Sequence, residues 1–479
     1  MLYVLIALIL GLAALAGIVS YRTYHFVPPV EEQSPAEPEE FDREAPIRAL
    51  QALVRCKTVS YRDHTLEDNG EFKKLYELLP RLYPNVAETC EIRAFPDRGL
   101  LYRWRGKSAD TPAVLMAHYD VVPVVEEAWD KPAFEGILED GVLWGRGTLD
   151  TKVTFNGILS AAEALIAEGF VPENDVYFAF SGGEEVNGLG AVHIVDYFEK
   201  EGISPALVLD EGGAVVENVF PGVARPCGMI GIAEKGMMDV EYRVRSAGGH
   251  ASAPKPKTPL TSLARACTRL AKHPARAHLT PPVAKMFDTL GRHSSLLYRV
   301  IFANLWLFFP VLDLICKKSG GELNALMRTT VAFTQAKGSD ASNVIPPEAT
   351  LVSNIRLNPA DTMASCKAYL ERTVADPDVS VTVLHGIDPS RISRTDVAGW
   401  EKVKRAVEAT WQGCITSPYL MVQCSDSRHW GRISDRVYRF SAMDLTSAER
   451  ATIHGNNERI RVSCALSAVE FYRRLMRTL

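Results

Sequence analysis

From residue 113 onward, short apolar runs alternate with amphipathic stretches, and this alternation restricts the fold more than any other feature of the chain. AVLMA (113–117), VYFAF (176–180) and ALVLD (206–210) read as buried strands. FNGILSAAEALIAEG (155–169), stopped by Gly169, and GAVHIVDYFEK (190–200) read as helices between them. Strands apolar on both faces and spaced by helices predict a mostly parallel sheet covered on both sides, an α/β fold. In such sheets ligands collect beyond the carboxyl ends of the strands. At 479 residues the chain exceeds one ordinary core, and its texture changes near residue 235. MMDVEYRVRS (237–246) alternates like a half-exposed strand, TPLTSLARACTRLAKH (258–273) is helical, and TTVAFTQA (329–336) and ATLVSNIRL (349–357) are further strands. This predicts a smaller α+β domain over 236–390, inserted between parts of the first domain at 46–235 and 391–479. Helices at 401–411 and 465–479 belong to the second of those parts.

The ends and the composition narrow the setting. Residues 2–19, LYVLIALILGLAALAGIV, carry no charge and are long enough to cross a bilayer as a helix. The alternative is a signal peptide cleaved after Ala14-Leu15-Ala16, although no basic residue precedes the run. One arginine, Arg22, follows the run and argues only weakly against export by charge. The expectation is a single anchor over 1–22 with an extracytoplasmic body; secretion after cleavage is the alternative. Residues 23–45 are acidic and proline-rich and read as an extended, disordered tether. The apolar segment 294–318 is interrupted by Pro310 and reads as two short helices, packed on the small domain or lining a greasy substrate entrance. A net charge of −5 gives no support to nucleic-acid binding. Nine scattered cysteines without CxxC spacing exclude a thiolate zinc finger and indicate no disulfide framework.

Polar residues stand where the apolar runs end. His118-Tyr119-Asp120 follows AVLMA, Asp150 closes GVLWGRGTLDTK, Glu184-Glu185 follows VYFAF, Asp210 closes ALVLD, and His454 sits in TIHGNNERI. Each alone has a plainer reading: a structural histidine, a solvated acidic loop, an Asp capping a turn. Together, His118, Asp150, Glu185, Asp210 and His454 make a donor set for two divalent ions such as zinc. With one carboxylate bridging, each ion has three protein ligands and an open position. Such a pair polarises a carbonyl and makes hydroxide available near neutral pH. Glu184 then stays unligated and suits a general base, because nearby cations offset the crowding of two adjacent carboxylates. Asp120 is placed to accept the second ring N–H of His118.

These residues lie in stretches that resemble one family. AHYDVVPV (117–124), WDKPAFEGILEDGVLWGRGTLDTK (129–152), GGEEVNGLGA (182–191), VLDEGG (208–213), GIAEKG (231–236), GGHASAP (248–254), NVIP (343–346), DSRHW (426–430) and HGNNERI (454–460) resemble the co-catalytic zinc peptidase family of glutamate carboxypeptidase, aminoacylase and carboxypeptidase S. NALMRTTVAFT and SRHW bring the chain nearest the branch of carboxypeptidase S and the N-fatty-acyl-amino-acid synthase/hydrolases. The resemblance runs in order through about residues 46–479. It implies a catalytic domain with an inserted lid or dimerisation domain and two Zn2+ per chain, with Co2+ or Mn2+ as alternatives. It implies that His118, Asp150 and Asp210 hold one ion, and that bridging Asp150 with Glu185 and His454 holds the other. Glu184 is then the acid/base and Asp120 the partner of His118. His250 stabilises the carbonyl oxyanion, in many members from the partner subunit, and Asn343 and Arg356 hold substrate. Arg428 and His429 lie in a motif of the branch and are candidate substrate contacts; a surface salt-bridged loop is the other reading. Thr151 and Gly183 stand where many members have aspartate, and neither position is a matched ligand.

The implied activity is hydrolysis of an amide or peptide bond next to a free carboxylate. The substrate is a short peptide, as for a carboxypeptidase, or an N-acyl and possibly N-fatty-acyl amino acid. A homodimer through the inserted domain is a further expectation. A catalytically silent binding protein on the same fold is the alternative from a different class, and the intact ligand set argues against it.

Overall fold

The computed structural model describes residues 1–29 and 36–479; residues 30–35, within the expected tether, lie outside the described residues. The chain opens with helix α1 (Leu2–His25), followed by α2 (Glu44–Val54) and α3 (Asn69–Leu82). It enters a large sheet through β1 (Glu91–Phe95), β2 (Gly99–Trp104) and β3 (Ser108–His118). Then come α4 (Lys152–Ala167), β4 (Asn174–Ser181), α5 (Gly190–Lys200), β5 (Leu207–Val216) and β6 (Cys227–Glu234). A second sheet begins with β7 (Gly236–Arg245) and α6 (Pro259–Lys272). Four helices intervene: α7 (Pro281–His293), α8 (Leu296–Ala303), α9 (Leu305–Ser319) and α10 (Gly321–Met327). The second sheet is completed by β8 (Thr330–Lys337), β9 (Glu348–Leu357), α11 (Met363–Val374) and β10 (Ser380–Ile387). The chain returns through α12 (Ala398–Thr410), β11 (Ile415–Met421), β12 (Val437–Leu445) and α13 (Val462–Met476).

The large sheet has eight strands in the order β1-β2-β4-β3-β5-β12-β6-β11. Its centre, β4-β3-β5-β12, is parallel, as the apolar runs require; β1 and β2 extend one edge antiparallel. The centre is buried on both faces. Leu115, Leu209 and Phe178 face the core shared with α2, α4, α12 and α13, while Val114, Val208 and Tyr177 face α5 and Trp430. Helix α4 forms from Ala- and Leu-rich sequence, is buried along most of its length, and ends where Gly169 adopts φ +75°. There the N–H of Phe170 reaches back to the Leu165 carbonyl, closing the last turn. The second sheet, β8-β9-β7-β10, is antiparallel throughout, and α6 and α11 bury Leu263, Leu270 and Leu370 in a separate apolar cluster.

Segment 281–327 does not join that second cluster. Val283, Phe287, Phe302, Cys316 and Met327 belong to the core of the large sheet, which does not support packing of 294–318 on the small domain. The two helices also meet elsewhere than expected. They bend by 109° at Asn304, while Pro310 lies inside α9. In its second turn Pro310 removes one in-helix N–H donor without ending α9, whereas Asn304 ends α8 with its amide bonded to the Val300 carbonyl. Part of the expected tether is likewise held. The carbonyls of Glu37 and Glu40 accept from Arg474 and Arg473, and the Glu39 carboxylate pairs with Arg473 of α13.

A buried ion pair joins β6 to β12. Arg439 Nε donates to Glu234 Oε1 at 2.6 Å, with both side chains 1% exposed. Glu234 also accepts from the Ser425 N–H at 3.1 Å and the Ser427 hydroxyl at 2.8 Å, fixing the turn that follows β11. Glu234→Ala leaves Arg439 buried without its counter-charge. It is expected to cost about 3–5 kcal/mol in urea unfolding, and a loss within error of zero would show that the pair does not hold the strands.

Candidate metal centre

The cluster is assembled at the carboxyl end of the parallel strands. His118, at the end of β3, is 2% exposed, and its Nε2 lies 2.9 Å from Asp150 Oδ1 and 3.3 Å from Glu211 Oε1. Its Nδ1 faces the Asp120 main-chain carbonyl at 3.0 Å, which orients the ring and leaves Nε2 turned to the acids. The Asp120 carboxylate, expected to make that contact, stands farther off at 3.4 Å. Its oxygens instead accept from the Glu184 and Glu185 N–H groups at 3.1 and 3.2 Å and from Ser60 Oγ at 2.6 Å. Asp120 therefore fixes the glutamate pair as well as the histidine. The turn carrying the pair is closed by the Gly188 N–H on the Gly183 carbonyl at 2.7 Å.

Asp150 and His454 come from distant parts of the chain and meet through a residue that the sequence reading passed over. Buried Glu458 accepts from the Leu149 and Asp150 N–H groups at 2.7 and 3.2 Å and pairs with Arg146 at 2.6 Å. Four residues earlier, His454 Nε2 lies 3.0 Å from both Asp150 Oδ2 and Glu185 Oε2. Among the described residues, two sets of donors, each within 4.8 Å of one another, suit an ion: His118, Asp150 and Glu185, and His118, Glu184 and Glu211. Imidazole nitrogen with carboxylate oxygen is the donor chemistry that suits zinc.

Asp210 is not in this group. It is buried beneath it and accepts from the Ser427 N–H at 2.9 Å. Glu211 takes the place beside His118 because β5 does not end at Asp210. Against β12, Asp210 pairs with Arg439 and Gly213 with Phe440, so Glu211 and Gly212 bulge out of the ladder. A bulge re-aims side chains, and here it sends Glu211 into the site. Gly212, at φ +143°, has no room for a Cβ, which would meet Met421 sulfur at 2.6 Å.

The remaining expected residues fall in two places. Arg428 and His429 are half-buried behind the cluster, with Arg428 Nη2 donating to Asn187 Oδ1 at 3.0 Å, so the exposed-loop reading does not hold. Beside them Asp426, 3% exposed, accepts from Ser181 Oγ at 2.5 Å and leaves its other oxygen without a partner. Arg356 reaches Cys424 Sγ at 3.3 Å, at the rim of the cavity described next. His250 pairs with Val344 in two short strands, and the Asn343 carbonyl beside them accepts from the Ala251 N–H; the His250 ring is exposed and bonds to Ser252. The structure thus does not bring His250 and Asn343 to the cluster within one chain.

A cavity of about 500 Å3 opens onto the cluster. Asp150, Glu184, Glu185, Glu211 and His454 form one end. The walls beyond are mostly apolar, including Phe220, Met286, Leu323, Leu326, Met443 and Ile453, with Glu322, Gln423 and Arg450 among them. Without a cation the acids repel. Burial and like charges hold Glu184 well above the ordinary carboxyl range, and burial above all pushes Glu211 up to about 8. His454 is raised to about 10 by Asp150 and Glu185. A carboxyl raised from 4.5 destabilises the fold as pH climbs from that value to 8, and a histidine raised from 6.5 to 10 loses its stabilising contribution over that span. Both effects have the same sign between pH 6.5 and 8. Chelator-treated protein is therefore expected to lose thermal stability across that window and zinc-loaded protein much less; a flat metal-free profile would contradict the crowding.

The model of peptidase family M20/M25/M40 matches residues 114–478. The chain is 33% identical over 483 residues to N-fatty-acyl-amino acid synthase/hydrolase PM20D1 of Xenopus tropicalis, covering 98% of this chain and 94% of that one. It is 31% identical over 481 residues to the probable carboxypeptidase S-like 2 of Dictyostelium discoideum, covering 98% and 92%. Among solved structures, an M20 family metallo-carboxypeptidase from Sulfolobus solfataricus superposes with a TM-score of 0.66 at 16% identity, covering 90% of this chain and 98% of that one, a likeness of fold.

Proposed function

The chain belongs to peptidase family M20/M25/M40, and on that premise we propose that it hydrolyses the amide bond of N-fatty-acyl amino acids at a two-zinc centre. The observation that carries the substrate class is the apolar cavity opening directly onto the acidic cluster. A pocket of that size and lining suits a long acyl chain better than a short polar peptide. The names of the PM20D1 relatives favour the same reading, and reversal to condensation follows from mass action. The carboxypeptidase reading, on short peptides, draws support from the carboxypeptidase S-like relative.

In this proposal His118, Asp150 and Glu211 would hold one ion, and Asp150, Glu185 and His454 would hold the other. Glu211 replaces Asp210 in the ligand set because its carboxylate, not that of Asp210, stands against His118. When bound, the ions would polarise the amide carbonyl and ease deprotonation of water. Glu184 takes the proton of the attacking water and hands it to the leaving nitrogen, a role that requires it ionised, which neighbouring cations would favour. Asp120 holds Glu184 in place through the main-chain N–H. The acyl chain fills the apolar wall and excludes water, while Arg356 would receive the amino-acid carboxylate and Asn343 would join it only from a partner subunit. His250, exposed on the inserted segment, would stabilise the oxyanion in the site of a partner subunit. Helix α1 would anchor the body at a membrane.

The decisive assay compares N-oleoyl amino acids, N-acetyl amino acids and blocked dipeptides, with and without chelator. Preference for the long acyl chain, abolished by chelator, is expected; preference for dipeptides would shift the assignment to a carboxypeptidase. Glu184→Gln is expected to retain metal and lose about 10²–10⁴-fold in kcat. Retained turnover would remove Glu184 from proton transfer. Glu211→Gln is expected to lower zinc content toward one per chain while Asp210→Asn leaves two, and the reverse pattern would restore Asp210 as ligand.

A further inference from the structure

Helices α8 and α9 expose apolar side chains that none of the described residues covers. Leu296 and Leu297 are 68% and 71% exposed, Trp306 56%, Val311 54%, Leu314 53% and Ile315 56%. On α9 the exposed positions 306, 310 and 314, with 311 and 315, recur at helical spacing, while Cys316 is buried. Lys317 and Lys318 close the helix. Such a patch is larger than a water-facing surface ordinarily keeps bare.

The geometry of α1 says what covers it. Helix α1 has 24 residues, about 36 Å at 1.5 Å each, and its apolar side chains from Leu2 to Leu12 are almost all exposed. Only its last turns are held. Arg22 Nε donates to the Ala303 carbonyl at 3.0 Å, and the Asn304 amide donates to Thr23 Oγ1 at 3.2 Å and the Val19 carbonyl at 3.4 Å. Asn304, fully buried, is the corner at which α8 turns into α9. Phe26 continues the contact under the Arg292 guanidinium. The corner is therefore fixed at the level where Tyr21 and Tyr24 end the apolar run, the level at which aromatic side chains meet a bilayer surface.

We propose that α8 and α9 lie in the bilayer interface beside α1, with the apolar face in one leaflet and Lys317 and Lys318 toward the headgroups. This rests on α1 being the anchor proposed above. The same stretch of chain continues into the cavity: Met286 of α7 and Leu323 and Leu326 of α10 line its wall, and Phe302 of α8 packs on Phe220 of that wall. The surface in the leaflet and the acyl-binding wall are thus parts of one helical unit. An N-acyl amino acid dissolved in the membrane reaches the cluster from the leaflet without its tail crossing water.

The test uses the full chain in phosphatidylcholine–phosphatidylglycerol vesicles carrying a phospholipid with a diazirine in its acyl chain. After irradiation, peptide mass mapping is expected to find lipid adducts on both α1 and residues 296–315. Adducts on 296–315 support the proposal whether or not α1 is labelled, and an unlabelled α1 counts against the anchor alone. Adducts confined to α1, or cross-links between copies through 296–315 without lipid adducts, overturn it. A second arm uses Leu297→Glu/Leu314→Glu/Ile315→Glu, all exposed and outside the cavity. Turnover of N-oleoyl amino acid supplied in vesicles is expected to fall about tenfold while that of a water-soluble N-hexanoyl amino acid is unchanged. Equal turnover of both substrates by the variant and the parent chain, or an equal fall on both, overturns the leaflet route.

Discussion

Repulsion among carboxylates is the constraint around which the rest of this molecule is built. Asp150, Glu184, Glu185 and Glu211 face one space, with Asp120, Asp210 and Asp426 packed directly behind them. Two unit charges 4 Å apart repel by about 4 kcal/mol at the screening typical of a protein. No fold gathers these groups unless something offsets that repulsion. Part of the compensation is visible in the chain. Main-chain N–H groups and hydroxyls quiet the acids behind: Asp120 through residues 184 and 185 and Ser60, Asp210 through residue 427, Asp426 through Ser181. The acids in front have His118 and His454 and little else. That asymmetry is a demand for cations, and the family membership agrees with it.

Much of this could be read from residue order because the parallel sheet obliges strand ends to converge. His118, Glu184 and Glu185 were accessible for that reason: each follows a run apolar enough to be a central strand. Glu211 was not, because a bulge has no signature in a single sequence. VLDEGG offers two acids, and period-two alternation alone cannot say which one a distorted ladder will turn inward. Glu458 and Asp426 were hidden for another reason. Their partners lie hundreds of residues away, at Asp150 and Ser181, and nothing local in HGNNERI or DSRHW marks a buried carboxylate. Pro310 misled because a proline inside a helix removes one backbone hydrogen bond without obliging the helix to end, whereas the corner is set by a buried asparagine bonded to another helix.

The chemistry and the selectivity have different origins in the chain. The groups proposed to handle protons and cations sit at strand ends and in tight turns, where the large sheet fixes them. The apolar wall is collected from the loop after β5, from α7 and α10, and from β12, segments that share no pattern. A fold of this kind can change what it accepts by redrawing 281–327 while the acidic end stays as it is.

Glu458 carries a consequence for how an ion would come and go. One carboxylate clasps Arg146 and the 149–150 peptides, and its own turn carries His454. Asp150 and His454 are therefore mechanically a single jaw, although 304 positions separate them in the chain (454 − 150). A ligand that can let go alone permits stepwise loss of a bound cation; a jaw must open as a whole. Exchange at that position would then be gated by a concerted loosening of the C-terminal turn, making occupancy a matter of slow kinetics as much as of affinity.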